Sequence, residues 1–380
     1  MISTTNATAL QILKGLDSSA SLREAKAEWT RPPNRGPAWA RAGAAAPIEP
    51  ISQAAKDAIT KIVAILSENG GSVDLSGETY THASISAKDN ATIIGGAGND
   101  SVGAYNNAKV VGGDGSDSIS VYNGADVDAG DGDDFVSTYR NANIFGGGGD
   151  DWISTYDDSK IDAGDGNDYV TGYRRMQVDG GAGNDEIRTY DYSTIDAGEG
   201  DDLVVTYGAS TINGGAGDDI LIATDKGSSF VNNGASGSYH LTFGHNNIDG
   251  GEGDDYIQTT DNSTVRGGAG NDTVRLIGSG STVNFTKGDG QDAVLSSDDF
   301  TLNIAGYTKE DVTVTAQDKA LIVSFAGSED SLTLHIPGAT GHLVFEDGTS
   351  LDVSGAGSNV RLHSLFSRPD WGRDEPFLLT

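Results

Sequence analysis

The chain contains no cysteine, so disulfide bonds and thiolate metal sites are excluded. Basic residues are scarce: 24 Lys plus Arg stand against 56 Asp plus Glu, and the formal net charge is −32. With no basic stripe to follow a phosphate backbone, nucleic acid is not expected as a partner. No apolar run reaches the roughly 18 residues that a membrane-spanning helix needs. The opening residues, MISTTNATALQILKGLDSS, lack both a basic n-region and a long apolar core, so a Sec-type signal peptide is not expected. The patterns H-E-x-x-H, G-x-S-x-G and G-x-x-x-x-G-K-[ST] are also missing. The six histidines are scattered, with His240 and His245 expected to face solvent rather than to bind zinc.

Glycine and aspartate are what the chain has in abundance. Of its 380 residues 54 are glycine, and short six-residue units such as GGAGND, GGGGDD and AGEGDD recur. The units begin at Gly95, Gly112, Ala129, Gly146, Ala163, Gly180, Ala197 and Gly214, always 17 residues apart, and then at Gly250 and Gly267, again 17 apart. The step from 214 to 250 is 36, two periods plus two residues. The sixth position is always aspartate: Asp100, Asp117, Asp134, Asp151, Asp168, Asp185, Asp202, Asp219, Asp255 and Asp272. Two residues later stands an aliphatic (Val102, Ile119, Val136 and so on), and a second aliphatic column (Ile93, Val110, Val127 and so on) precedes each unit by two.

A fixed period with two short β-branched segments reads as one coil of a parallel β-solenoid. One strand lies near DSISVY (117–122) and another near SKID (159–162), joined by two turns. Stacked coils pair their strands at about 4.8 Å per step and turn each aliphatic column into an internal ladder. That core is thin, two aliphatics and one small residue (Ala108, Ala125, Ala142, Ser159) per coil. Burial alone is therefore insufficient, and the acidic chain repels itself until a cation binds. Glycines let the backbone turn its carbonyls inward, and aspartate adds charge. Calcium, which takes six to eight oxygens of both kinds, is the matching ion.

The pattern G-G-x-G-x-D-x-(aliphatic)-x, over roughly residues 90–275, resembles the calcium-binding nonapeptide of the RTX (repeats-in-toxin, hemolysin-type) family, whose repeats form a parallel β-roll. The resemblance implies ligand roles for the ten aspartates named above. It also implies carbonyl donation by the loop glycines: Gly95, Gly96 and Gly98; Gly112, Gly113 and Gly115; Gly130 and Gly132; Gly147 and Gly149; Gly164 and Gly166. In the later units the same roles fall to Gly180, Gly181 and Gly183; Gly198 and Gly200; Gly214, Gly215 and Gly217; Gly250, Gly251 and Gly253; Gly267, Gly268 and Gly270. Family rolls carry such loops on both edges, whereas here the other edge reads YNNAK, YRNAN or YDDSK, so calcium is expected along one edge only, opposite a tighter polar turn. Three units begin with Ala instead of Gly, and the unit at Gly146 has an extra glycine at its third position. The stretch 228–247 lacks a loop aspartate and reads as a degenerate coil that interrupts the column. About seven ions are expected before it and one or more after.

The expected architecture is thus mainly β: a parallel β-roll of 17-residue coils over 71–280, an N-terminal helical cap and linker over 1–70, and a C-terminal β cap over 281–355. ATALQILKGL and SLREAKAEW read as short helices, and ISQAAKDAITKIVAIL (51–66) as an amphipathic helix with Ile59, Ile62, Val63 and Leu66 on one face, a cap or else a partner-binding element. FEDG at 345–348 reads as a hairpin turn, and Asp292 as a candidate for a final ion. The tail 356–380 is similar to the uncleaved C-terminal signal read by type I secretion machinery, which implies a secreted, extracellular or cell-surface protein.

A column of Tyr105, Tyr122, Tyr139, Tyr156, Tyr173, Tyr190 and Tyr207 follows the aspartates by five. Strand alternation points it outward, together with Phe135, Trp152, Tyr169, Leu203, Ile220 and Tyr256. Such a face either stiffens the roll or binds carbohydrate, ice or another copy of the chain. The function expected is a structural, adhesive or ligand-binding module rather than a catalyst; the alternative is a hydrolase or lyase acting on extracellular polysaccharide.

Overall fold

The computed structural model describes residues 10–16, 59–66, 69–77, 82–224, 245–317 and 319–355. The alternation of period two within a repeat of 17 builds two mainly parallel sheets, which with their antiparallel end strands count 17 and 15 strands among the described residues. The strands after each loop aspartate, from Ser101–Ala104 through Phe135–Arg140 and Trp152–Asp157 to Thr273–Leu276, form one sheet. The strands before each loop, from Thr92–Ala97 through Lys160–Asp165 to Thr264–Ala269, form the other. Successive coils pair in strict register: Val136 faces Ile153, which faces Val170, and Ile144 faces Ile161. A slip of one residue would expose both aliphatic columns, so burial pins the register. Both columns are buried along the whole stack.

Towards the polar turn the interior changes character. Thr138 donates to Thr155 at 2.8 Å, and Thr155 meets Ser159 at 3.0 Å. One coil solves the packing differently. A Cβ on Gly172 would lie 2.7 Å from Cγ of Met176, so the methionine occupies the volume that a threonine and a serine share in the preceding coil. The turns themselves hold Asn107, Asn141 and Asp158 at φ between 52° and 56°, a left-handed conformation that Asn and Asp adopt with little penalty.

Three expectations are corrected. The described portion of the 51–66 helix, Ile59–Leu66, is a β-strand, pairing in parallel with Ala83–Ala87 and antiparallel with Leu10–Leu16, itself expected as helix. ITKIVAIL is rich in β-branched residues, which favour a pleated surface, and as a strand it covers the open edge of the first coil. Residues 21–29 and 51–58 lie outside the described residues. The degenerate coil at 228–247 does not break the stack: Thr211–Ala216 pairs directly with Asn247–Glu252, and Ile220–Thr224 with Tyr256–Thr259. Asn247 already belongs to a regular coil, and residues 225–244 lie outside the described residues.

The parallel stack also continues past residue 280. Gln291–Ser296 and Phe300–Ala305 add a coil, and Ser331–His335 and Thr340–Phe345 add another. Around them the core gains larger side chains, with Phe285, Tyr307 and Phe325 stacked at 4.2 and 5.4 Å. Two antiparallel features then stop the parallel pairing: the hairpin Val312–Gln317 with Ala320–Phe325, and Ser350–Ser354 against Thr340–Phe345. The turn between the last two contains Gly348 at φ 80° and Asp347 Oδ1 accepting from Thr349 N. The tail 356–380 lies outside the described residues.

Candidate metal centre

Each strand of the second sheet runs on into its glycine loop, so the loops stack with the same parallel register as the strands, Gly147 against Gly164 and Gly164 against Gly181. Two loop positions admit only glycine. In the loop at 112–117, Gly113 and Gly115 have φ of 117° and 114°, and a Cβ on Gly113 would stand 2.2 Å from the carbonyl oxygen of Gly96 in the coil before. The same close approach recurs in the second and fourth glycines of every later unit. The third-position carbonyls are already engaged, Asp131 O accepting from Gly115 N at 2.7 Å and Asp165 O from Gly149 N at 2.7 Å.

The ten aspartates stand in a single buried column. Each places Oδ1 under the preceding coil: Asp117 Oδ1 accepts from Asp100 N at 2.6 Å, Asp151 Oδ1 from Asp134 N at 2.8 Å, and Asp185 Oδ1 from Asp168 N at 2.8 Å. The column crosses the expected interruption without a gap, since Asp255 Oδ1 accepts from Asp219 N at 2.8 Å. It extends one step further to Asp292, whose Oδ1 accepts from Asp272 N at 3.1 Å.

The second carboxylate oxygen tells the rest. Oδ2 of Asp117, Asp134, Asp151, Asp168, Asp185, Asp202, Asp219, Asp255 and Asp272 is buried and has no hydrogen-bond partner, nine orphans in one line. Native interiors leave very few such atoms, and each one calls for an explanation. These oxygens meet further oxygens: the position a Cβ would take on Gly112 lies 2.3 Å from Asp117 Oδ2 and 2.2 Å from the carbonyl oxygen of Ala129 in the next coil. Gly146 repeats the arrangement with Asp151 Oδ2 and Ala163 O, and Gly180 with Asp185 Oδ2 and Ala197 O. Carboxylate and carbonyl oxygens turned on one another call for a cation between them. Burial, the largest cause, pushes the carboxyls of Asp117, Asp151, Asp202 and Asp219 up to about 7, and those of Asp185 and Asp255 up to about 8. The carboxyls of Asp134, Asp168 and Asp272 rise to about 6, and Asp292 to about 8, for the same reason.

The donor set is oxygen only and mixes one carboxylate per loop with carbonyls, which suits calcium. It also explains why no three His, Asp or Glu side chains converge into a metal cluster among the described residues. Exposed His245 belongs to no such group, and His240 lies outside the described residues.

Sequence reasoning assigned no role to the fifth loop position. Asp150 Oδ1 accepts from Asn167 N at 2.8 Å, Asn167 Oδ1 from Asn184 N at 2.9 Å, and Asp218 Oδ1 from Asp254 N at 2.8 Å. This ladder runs opposite to that of the sixth position, each side chain reaching forward to the next coil. Its signal was present in the sequence as an unbroken column of Asn, Asp or Ser.

The RTX calcium-binding nonapeptide repeat, the hemolysin-type family, matches the chain in four copies, at residues 89–105, 137–159, 198–225 and 259–276. Four segments of the roll are thus RTX calcium-binding repeats. The RTX matches take in five of the ten loops, those of Asp100, Asp151, Asp202, Asp219 and Asp272, and strands that flank them. No curated protein matches the chain. Among solved structures, the extracellular lipase LipA from Serratia marcescens is similar at 17% identity and a TM-score of 0.24, over 55% of this chain and 37% of its own. This chain thus spans little more than a third of that enzyme's length.

Proposed function

We propose that this RTX roll is a secreted module that folds on taking up calcium along one edge and then serves in structure, adhesion or ligand binding rather than in catalysis. The observation that carries this reading is the line of nine orphaned, buried Oδ2 atoms. The ten loops enclose nine successive gaps; where a loop begins with glycine, as at Gly112, Gly146, Gly180, Gly214 and Gly250, the orphaned Oδ2 of that loop's aspartate and the first-position carbonyl of the next loop approach the same point. When bound, calcium supplies the positive charge that lets these carboxylates ionise inside the roll. The chain's own contribution is the fixed backbone path of the second and fourth glycines and the two opposed side-chain ladders.

Export fits the same physics. An acidic chain that stays expanded where calcium is scarce threads a secretion channel more readily than a folded roll, and compacts on reaching calcium outside. Equilibrium dialysis against calcium, run beside circular dichroism, tests the reading. Nine bound ions taken up together with β structure are expected. Binding of fewer than half that number, or β structure that precedes binding, overturns it.

A further inference from the structure

The outer face of the sheet that follows the loops is unlike the rest of the surface. In the coil at 152–156 Trp152, Ser154 and Tyr156 point outward, with an aromatic, a hydroxyl and an aromatic in that order. The coils on either side repeat the order, with Phe135 and Tyr139 before and Tyr169 and Tyr173 after. Two aromatic walls therefore stand about 13 Å apart, four strand residues, along a floor of hydroxyls. Ser154 Oγ and Thr171 Oγ1 are 3.5 Å apart on that floor. At one end the trough closes where Arg188 takes the floor position and pairs with Glu186 at 2.7 Å.

The two walls differ. The tyrosines lie face to face within two runs, Tyr122 on Tyr139 and Tyr156 on Tyr173 at 5.2 and 4.7 Å with ring planes within 3°, separated by a 46° tilt between Tyr139 and Tyr156, so within each run they present mainly edges and phenol hydroxyls to solvent. Trp152 is tilted by 43° and 50° to Phe135 and Tyr169, and 47% of it is exposed, so its ring is not sealed by its neighbours. An apolar ring face beside ranks of hydroxyls suits a ligand that has both CH-rich faces and many hydroxyls.

Charge and area narrow the choice. The face's few ions are mostly neutralised, Arg140 and Arg174 sharing Asp157 at 3.8 and 3.3 Å and Arg188 meeting Glu186, which leaves one positive charge in excess among these five. The opposite sheet instead displays Asp128, Asp162, Asp179 and Asp196 in register. A strip that carries little net charge gives basic polymers little hold, and the chain's net charge of −32 disfavours acidic ones. From Tyr122 to Tyr190, in the coil of Arg188, the strip is about 19 Å long, four steps of about 4.8 Å, and covers roughly 250 Å². That is well under the ~800 Å² each partner of a stable protein interface buries. A narrow linear chain fits where a second protein does not.

We infer that this trough binds a neutral, extended β-linked polysaccharide lying along the roll axis, one sugar per coil. Trp152 supplies the stacking platform and Ser137, Ser154, Thr171 and the phenols supply hydrogen bonds. The inference rests on the reading of the roll as a calcium-folded binding module. Affinity electrophoresis in calcium, through gels containing glucomannan, mixed-linkage β-glucan or alginate, tests it, with circular dichroism on the same samples. The neutral polymers are expected to retard the protein and alginate is not. Trp152→Ala should weaken retention about tenfold or more. Trp152→Tyr should retain most of it, and Phe145→Ala on the other sheet should leave it unchanged. A folded protein that ignores both neutral polymers overturns the inference, as does preference for alginate or equal retention of Trp152→Ala. So does self-association in sedimentation that Trp152→Ala abolishes. Absence of calcium-induced β structure would instead sink the module reading itself.

Discussion

Removing calcium at neutral pH is expected to unfold the roll, and acidifying the same metal-free solution is expected to restore compactness. A carboxyl raised from 3.8 to about 7, as for Asp117 and Asp151, disfavours the ionised, metal-free fold by about 4 kcal/mol at roughly 1.4 kcal/mol per pH unit. Even a third of that, repeated over the nine orphaned carboxyls, comes to about 12 kcal/mol, the whole stability of an ordinary domain. Burial raises these values, so the protonated fold is the favoured metal-free one. Its stabilisation is fully present below about 3.8 and is lost as pH rises through values of about 6 to about 8.

The assay is circular dichroism and sedimentation velocity in EDTA, stepped from about pH 5 to about pH 8 at low protein concentration. β structure is expected at the acid end and loss of it through the upper half of the range. With calcium present the fold should persist to pH 8, and the calcium midpoint should rise as pH falls, because each ion displaces protons. A metal-free sample equally compact at both ends of the range would refute the reasoning, since the carboxyl column would then carry no electrostatic load.

Four further outcomes follow from particular contacts. Asp151→Asn keeps an acceptor for Asp134 N but removes a charge, so dialysis should show fewer bound ions; Asp150→Ala keeps every sixth-position carboxylate but strands Asn167 N, costing about 1 kcal/mol in thermal unfolding. Met176→Ser should lose about 2–4 kcal/mol by opening a cavity against Gly172, and the pair Gly172→Thr with Met176→Ser should recover much of it, a non-additivity that a double-mutant cycle measures. Excising 36 − 17 = 19 residues from within 225–244 should leave calcium stoichiometry and β structure unchanged, because the strands and the aspartate ladder already pair across that span.

Periodicity made the coil, its two aliphatic ladders and the aspartate column legible in the sequence, because each depends on one residue type at one position repeated ten times. The helix expected at 51–66 failed where the pattern was short: Ile59, Ile62, Val63 and Leu66 share a helical face, yet ITKIVAIL is also an unbroken β-rich run, and an open strand edge beside it decided the matter. The insertion at 225–244 was hidden for another reason. A distance of 36 looks like two coils with a small excess, and only strand pairing shows that it is one coil with an insertion. The orphaned oxygens lay beyond sequence altogether, since an invariant aspartate says nothing of which of its oxygens is already engaged.

The position of that insertion follows from the asymmetry of the coil. On the loop edge neighbouring coils are tied through close carbonyl approach at the glycines, the Asp Oδ1 ladder and the fifth-position ladder. Added residues there would push neighbouring ligand sets apart and leave carboxylates buried without a cation. On the opposite edge the stack is tied by turn amides, such as Asn107 N to Asn123 O at 2.7 Å and Asn123 Nδ2 to Asn106 Oδ1 at 2.9 Å, which solvent can replace. Metal held on the loop edge, as proposed, would leave the other edge free to lengthen, and between the first and last of the ten loops the chain departs from its 17-residue step at 225–244, opposite the loops.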